Sequence, residues 1–426
     1  MAQRFHRLFV ILTGMLLLLF FIEMWEDTHR EWTRYQRQFL GRLHRDERRG
    51  QSGGIKQFIV KDLHRVDRCT TCHLAIEKPQ LALAEEPFTA HPGTWLESHP
   101  PEKFGCTVCH GGQGLATEVK AAHGDVPHWE EPLLRGALVQ ASCAQCHGQL
   151  EKIAPHVPLV LAGRQLFKAG GCYGCHAIKD FGQTVSQDLT EVGSKSYLLL
   201  EADFEMMDEP HDRIRWLAQK VQHPRVLNPG VRPEALPPGE EEVYPSAMPY
   251  FGFTPEETQA LTAYLLSLKA SDYPASYVTH AVPEPAPVVT SSVEHGKAVF
   301  ERFGCAGCHG IGGVGGRHNW NGGLGEEVPS LLYVKAYYGN DVESVKNLIR
   351  HGRQPVPRAD PTRPNPALYM PAWKDRISEE EIDALVAYLF SLSERLPQAA
   401  PPARPATSNQ EGPAAKAPSD DVTIPN

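Results

Sequence analysis

Five times in 426 residues the chain repeats the pentapeptide Cys-x-x-Cys-His. The copies are Cys69–His73, Cys106–His110, Cys143–His147, Cys172–His176 and Cys305–His309, and together they use all ten cysteines. Two cysteines three positions apart lie on one side of a helical turn, with the histidine directly beside them. A disulfide framework would not impose one spacing five times. Neither a zinc half-site nor a redox Cys-x-x-Cys pair requires a histidine after the second cysteine in every copy.

The pentapeptide is the attachment signature of c-type haem. Cys69 and Cys72, Cys106 and Cys109, Cys143 and Cys146, Cys172 and Cys175, and Cys305 and Cys308 read as thioether anchors for porphyrin vinyl groups. His73, His110, His147, His176 and His309 read as the proximal iron ligands. Five covalently bound haem c groups are the expected cofactors, each supplying apolar bulk that a short segment lacks. The chain carries a net charge of −9, yet residues 1–68 hold thirteen basic and eight acidic residues. The haem-bearing remainder is therefore strongly acidic, which suits a basic electron-transfer partner and not a nucleic acid.

Leu8 to Ile22 is an unbroken run of apolar or small residues, preceded by Arg4 and Arg7 and followed by Trp25. With its flanks it is just long enough to span a bilayer. A cleaved signal peptide is the rival reading, but EMWEDTHREW after the run offers no small-x-small cleavage site, and Trp25 suits a membrane interface. Residues 1–25 are thus expected to be a transmembrane signal-anchor. Arg30, Arg34, Arg37 and Arg42 outnumber the basic residues before the run, so charge does not fix its orientation. Residues 26–60 read as a juxtamembrane helix ending in a loose joint at Gly50–Gly54, or equally as a helix that docks on a neighbouring membrane subunit.

Residues 61–157 carry three motifs in under 100 residues, so a loop-rich trihaem domain is expected there. No methionine occurs between Met24 and Met206, which leaves histidine as the distal ligand of these haems. The spare histidines are His64, His91, His99, His123, His128 and His156. His99 and His123 are the leading candidates, followed by His128 and His91; each one alone could equally be a surface or structural histidine.

Residues 158–272 and 293–395 repeat one pattern. Gly163 and Phe167 precede Cys172 as Gly296 and Phe300 precede Cys305, and Met248-Pro249 is matched by Met370-Pro371. Thr254-Pro255-Glu256-Glu257 and Ser378-Glu379-Glu380-Glu381 read as capping boxes. Each opens a helix with one apolar face, Leu261, Tyr264, Leu265 and Leu268 in one copy and Leu385, Tyr388, Leu389 and Leu392 in the other. Gly310 to Gly315 formally matches GxGxxG but follows a haem motif with no strand before it, so it is not a nucleotide loop. Residues 273–292 are a Pro/Ala linker, and 396–426 lack the apolar content for a core and are expected to be disordered.

The order of haem motif, long loops, Met-Pro and a C-terminal helix with a central tyrosine resembles the class I cytochrome c fold, and covers most of both repeats. The resemblance implies that the terminal helices of each module cross at Gly163 or Gly296, with Phe167 meeting Tyr264 and Phe300 meeting Tyr388. It implies Met248 as the iron ligand opposite His176 and Met370 as the one opposite His309. Pro329-Ser330-Leu331 resembles the family's segment whose carbonyl holds the proximal histidine, whereas Gln187-Asp188-Leu189 in the first copy lacks the proline.

The fold class expected is mainly α: a transmembrane helix, a trihaem domain and two class I cytochrome c domains in tandem. The stretches VDRCTTCH, FGCTVCHGGQG and AAHG, with an N-terminal anchor, resemble multihaem c subunits of quinol-oxidising complexes of the Rieske/cytochrome b or alternative complex III type. That resemblance implies a cytoplasmic N-terminus, an inner-membrane anchor and a periplasmic bulk. It also implies membrane subunits and a soluble periplasmic electron acceptor as partners, with electron transfer and not catalysis as the role. The alternative is a redox enzyme similar to pentahaem nitrite reductases or dihaem peroxidases, although the Cys-x-x-Cys-Lys motif of the former is missing.

Overall fold

The computed structural model describes residues 2–127, 129–179, 181–182, 186–199, 212–224, 248, 251–270, 273–279, 291–315, 319, 327–353 and 369–394. His128, the 396–426 tail and most of the Pro/Ala linker lie outside the described residues. The structure is mainly helical. Its one sheet among the described residues is a two-stranded antiparallel ribbon, β1 (Phe58–Val60) against β2 (Arg65–Asp67), with Ile59 opposite Val66.

The chain divides into two compact units. The first runs from Met1 to Pro229 and resumes over Tyr250–Pro287; the second is Gly230–Pro249 with Val288–Asn426. Four of the five motifs therefore belong to the first unit and one to the second.

The first unit opens with α1 (Ala2–Thr28), whose most apolar 18 residues, within Gln3–Glu26, have a mean hydropathy of 2.4 and are unburied. Among the described residues it is the one helix long and apolar enough to cross a membrane, and a signal sequence satisfies the same criterion. The helix α2 (Glu31–Arg42) follows. It spends its apolar face on its own chain: Phe39 and Leu43 are buried against Ala75 and Phe88, with Tyr35 and Leu40 beside them. Gln36, also buried, bonds both backbone groups of Gly54, at 2.7 and 3.0 Å, and reaches Thr71 O at 3.1 Å. The expected loose joint is thus fastened at its far end, and Tyr35 and Phe39 serve an internal core.

The first repeat is built on α3 (Pro158–Ala169), α4 (Arg213–Gln222) and α5 (Pro255–Ser267). The α5 capping box forms as its sequence dictates, with Thr254 accepting from Glu257 N and Glu257 accepting from Thr254 N. This helix is buried on every side and not on one face alone: Thr262, Ala263 and Leu266 are as enclosed as Leu261 and Leu265. The reason is that α3, α4 and the turn of the third motif all pack on it; Ala141 and Leu150 join Val160, Phe167, Leu217 and Leu261 in one cluster. The core of this repeat is continuous with the segment before it.

Tyr273–Thr279 then runs back over the earlier chain. Tyr273 and Tyr277 pack on Val60, Leu63 and Val108, and Thr279 N donates to Cys146 O at 2.7 Å while Gly148 N donates to Thr279 O at 2.9 Å. This stretch, expected as the start of a linker, is a strap across the third motif.

The second unit contains α6 (Ser292–Arg302), α7 (Val342–His351) and α8 (Glu379–Ser393). Ser378 and Glu381 form the second capping box. Val299, Phe300, Phe303, Ile349, Trp373, Leu385 and Leu389 fill its core.

Candidate haem-attachment sites

Each motif folds as one closed turn, because the histidine N–H donates to the carbonyl of the first cysteine four residues back. The five distances are 2.9 Å for His73, 3.0 Å for His110, 2.9 Å for His147, 3.0 Å for His176 and 3.0 Å for His309. Both cysteines and the histidine are thereby held on one turn, as attachment to a single porphyrin requires. None of the ten cysteines is in a disulfide. Burial pushes the Cys72 and Cys109 thiols up to about 11 and raises those of Cys143, Cys146 and Cys305. A structural zinc site would need thiolates, and among the described residues no group of three or more His, Cys, Asp or Glu side chains converges.

The proximal histidines are set for a metal. His176 Nδ1 donates to Gln187 O at 2.7 Å and His309 Nδ1 to Pro329 O at 3.1 Å, leaving Nε2 as the lone-pair nitrogen in both. The carbonyl contact expected at Pro329 is present, and the first repeat makes it equally well without the proline, since any residue supplies a carbonyl. Burial lowers the pKa of His73, His110, His147, His176 and His309, and of His123, which keeps these imidazoles neutral near pH 7 and able to ligate. In the first repeat the buried indole N–H of Trp216 finds no partner among the described residues, an opening that an acceptor on a bound porphyrin would fill. The residues present fit haem.

The two crossings are also as the resemblance implies. A Cβ on Gly163 would fall 2.6 Å from the Ala260 carbonyl carbon, and one on Gly296 would fall 2.5 Å from that of Ala384, so the helices meet backbone to backbone. Phe167 and Tyr264 rings are 5.4 Å apart, and Phe300 and Tyr388 rings 5.5 Å. Met370 is half-buried against the second-unit core that also takes in Cys305. Met248 is half-buried, with residues on both sides of it outside the described set.

In the first unit, successive motifs touch. The thiols of Cys69 and Cys106 are neighbours, close enough to perturb each other. Ser142 Oγ donates to Cys109 O at 2.7 Å, tying the third motif to the second. Cys143 and Cys172 border the same apolar cluster, which brings the fourth motif into the series. Asp67, 1% exposed, fixes the first contact: it accepts from Cys106 N at 2.5 Å, Thr107 N at 2.9 Å and Thr107 Oγ1 at 2.8 Å. Nothing in the spacing of VDRCTTCH marks this aspartate as the cap of a turn 40 residues on. Asp67→Ala would strand two backbone donors and a hydroxyl, at about 1–3 kcal/mol per unsatisfied buried group. The expected outcome is a fall in the thermal unfolding midpoint of the first unit together with poorer haem loading at the second motif, read by intact mass.

The spare histidines fall into two groups. His123 lies beside His73, His91 beside His110 and His99 beside His147, with ring centroids 6.3, 6.0 and 6.2 Å apart. His156 instead lies against Trp95 at 4.7 Å, and His64 occupies a left-handed turn with φ 50°.

Residues 160–269 and 293–393 each match the family model of cytochrome c. No curated protein and no solved structure matches the chain. The matched segments coincide with the two helix crossings and the two Nδ1-held histidines. The protein therefore carries two cytochrome c domains, which bind haem c covalently and indicate haem-based electron transfer.

Proposed function

We propose that the protein is a membrane-anchored c-type cytochrome with five haems, a carrier and not an enzyme, passing electrons from a quinol-oxidising membrane complex to a soluble periplasmic acceptor. The observation that supports this reading is the succession of neighbouring motifs in the first unit: Asp67, just ahead of Cys69, caps the turn at Cys106, Ser142 bonds Cys109 O, and Cys143 and Cys172 border one core. Haems attached at such turns would be neighbours, as an electron relay requires. In this reading α1 is an uncleaved inner-membrane anchor with its N-terminus in the cytoplasm, since cytochrome c domains are usually extracytoplasmic. Met248 and Met370 are the distal ligands of the fourth and fifth haems. A thioether ligand stabilises ferrous iron, so these two have the higher potentials and electrons run from the three upstream haems toward them.

Mild detergent extraction, identification of co-purifying subunits and a spectroscopic redox titration test the reading. The expected result is an assembly that quinol reduces, with two haems of the protein titrating above the other three. A protein that purifies alone and turns over nitrite or peroxide, or one whose methionine-ligated haems lie at the low-potential end, overturns it.

A further inference from the structure

Every motif histidine in the region 61–157 faces one histidine from outside the motifs, and the three centroid distances agree within 6.0–6.3 Å. Two imidazoles on opposite faces of one iron, with metal–nitrogen bonds of about 2 Å, place their centroids about 6 Å apart. Two of the outer nitrogens are also held, as they are in the cytochrome c domains. His91 Nδ1 lies 3.1 Å from Pro92 O and His99 Nδ1 lies 3.3 Å from Trp95 O, while His73 Nδ1 is 3.8 Å from Glu86 Oε2. In His91 and His99 the carbonyl at Nδ1 leaves Nε2 as the lone-pair nitrogen, whereas His73 and Glu86 are too far apart for a hydrogen bond.

We propose that the three upstream irons are each held between two imidazoles in a crossed pattern: His73 with His123, His110 with His91, and His147 with His99. The assignment rests on the five-haem reading above. The pattern is interlaced along the chain. His91 and His99 both lie between the first and second motifs, yet they close the second and third sites; His123 lies beyond the second motif and closes the first. None of the three sites can complete its iron coordination from its own stretch of chain, so the three are finished together. His64 and His156 have no place in this pattern.

The test uses the full chain purified in detergent. Intact mass first counts the haems; a count below five counts against the five-haem reading, separately from the pairing. His91→Ala, His99→Ala and His123→Ala are each expected to convert about one fifth of the ferric iron from low-spin to high-spin in electron paramagnetic resonance. Added imidazole should restore the low-spin signal, which mere loss of packing would not allow. His156→Ala should leave the spectrum unchanged. In a chain lacking the second haem through Cys106→Ala and Cys109→Ala, His91→Ala should add no high-spin signal, whereas His123→Ala still should. Retention of a fully low-spin spectrum in any of the three single variants, or a high-spin signal from His156→Ala, overturns the assignment. Should an alanine variant fail to fold, His91→Met keeps a ligand on the iron. One haem of that variant should then titrate at a raised potential, and an unchanged titration overturns the pairing.

Discussion

Gly296→Ala will lower the stability of the second unit by about 3 kcal/mol, at the upper end of what overpacking a core costs. The added Cβ would lie 2.5 Å from the Ala384 carbonyl carbon and 2.7 Å from Tyr388 Cβ, against the roughly 3.5–4.0 Å that carbon atoms prefer. Neither neighbour is the end of a flexible side chain, so α6 and α8 must part, and the Phe300–Tyr388 contact loosens with them. Alanine's advantage over glycine in a helix, about 1 kcal/mol, works in the opposite direction and is too small to win. In a thermal melt of the whole protein the second unit should unfold roughly 15 °C earlier, and Gly163→Ala should lower the midpoint of the larger first unit by roughly half as much. A midpoint that stays put or rises would mean that helix propensity outweighs the crossing, and that the two backbones are not in contact.

Arg213→Ala will destabilise the first unit by about 2 kcal/mol. Arg213 is 3% exposed and donates to Glu131 Oε1 at 2.6 Å, Lys195 O at 2.8 Å, Ser194 O at 3.3 Å and Glu130 Oε2 at 3.4 Å. Cutting one side of a fully buried pair costs about 3–5 kcal/mol, but water reaches both glutamates here and screens part of the loss. Arg213→Lys should recover little, because a single ammonium cannot serve partners spread around a planar fork. The same cluster gives a pH dependence. Burial alone would raise the Glu131 carboxyl, but Lys269 at 2.8 Å and Arg213 outweigh it and hold it below its ordinary 4.5. The folded state thus binds this proton less readily than the unfolded one. The stabilisation is complete above pH 4.5 and fades as the pH falls through the lower folded value. Guanidinium unfolding at several pH values, with and without Arg213→Ala, should show the wild-type advantage shrinking at the acid end.

The parts legible in the sequence are those fixed over short range. A Cys-x-x-Cys-His turn closes within five residues, and a capping box within four, so both formed where Thr254, Ser378 and the cysteines stand. The paired glycines and aromatics stand in both repeats, and the crossings they make were legible through the resemblance to class I cytochrome c. Contacts set by loops were not. Which histidine meets His73 depends on the path of some 50 intervening residues with no periodic pattern, and His99, only seven residues before Cys106, faces the third motif instead of the second. Asp67 and Arg213 act on partners 40 and more residues away, as ordinary acidic and basic letters. The strap over Cys146 was hidden by its composition, since Pro-rich chain reads as a spacer whether or not it lies on something.

The Gln36 contact bears on kinetics. A redox head on a loose stalk finds its donor by tethered diffusion, and its rate follows stalk length and solvent viscosity. Gln36 joins the end of Gly50–Gly54 to α2 and to Thr71 inside the first motif, and Thr71 in turn bonds both backbone groups of Lys56 at 2.9 and 3.0 Å. With those bonds in place there is no stalk to swing. The first motif stands at a set distance from α2.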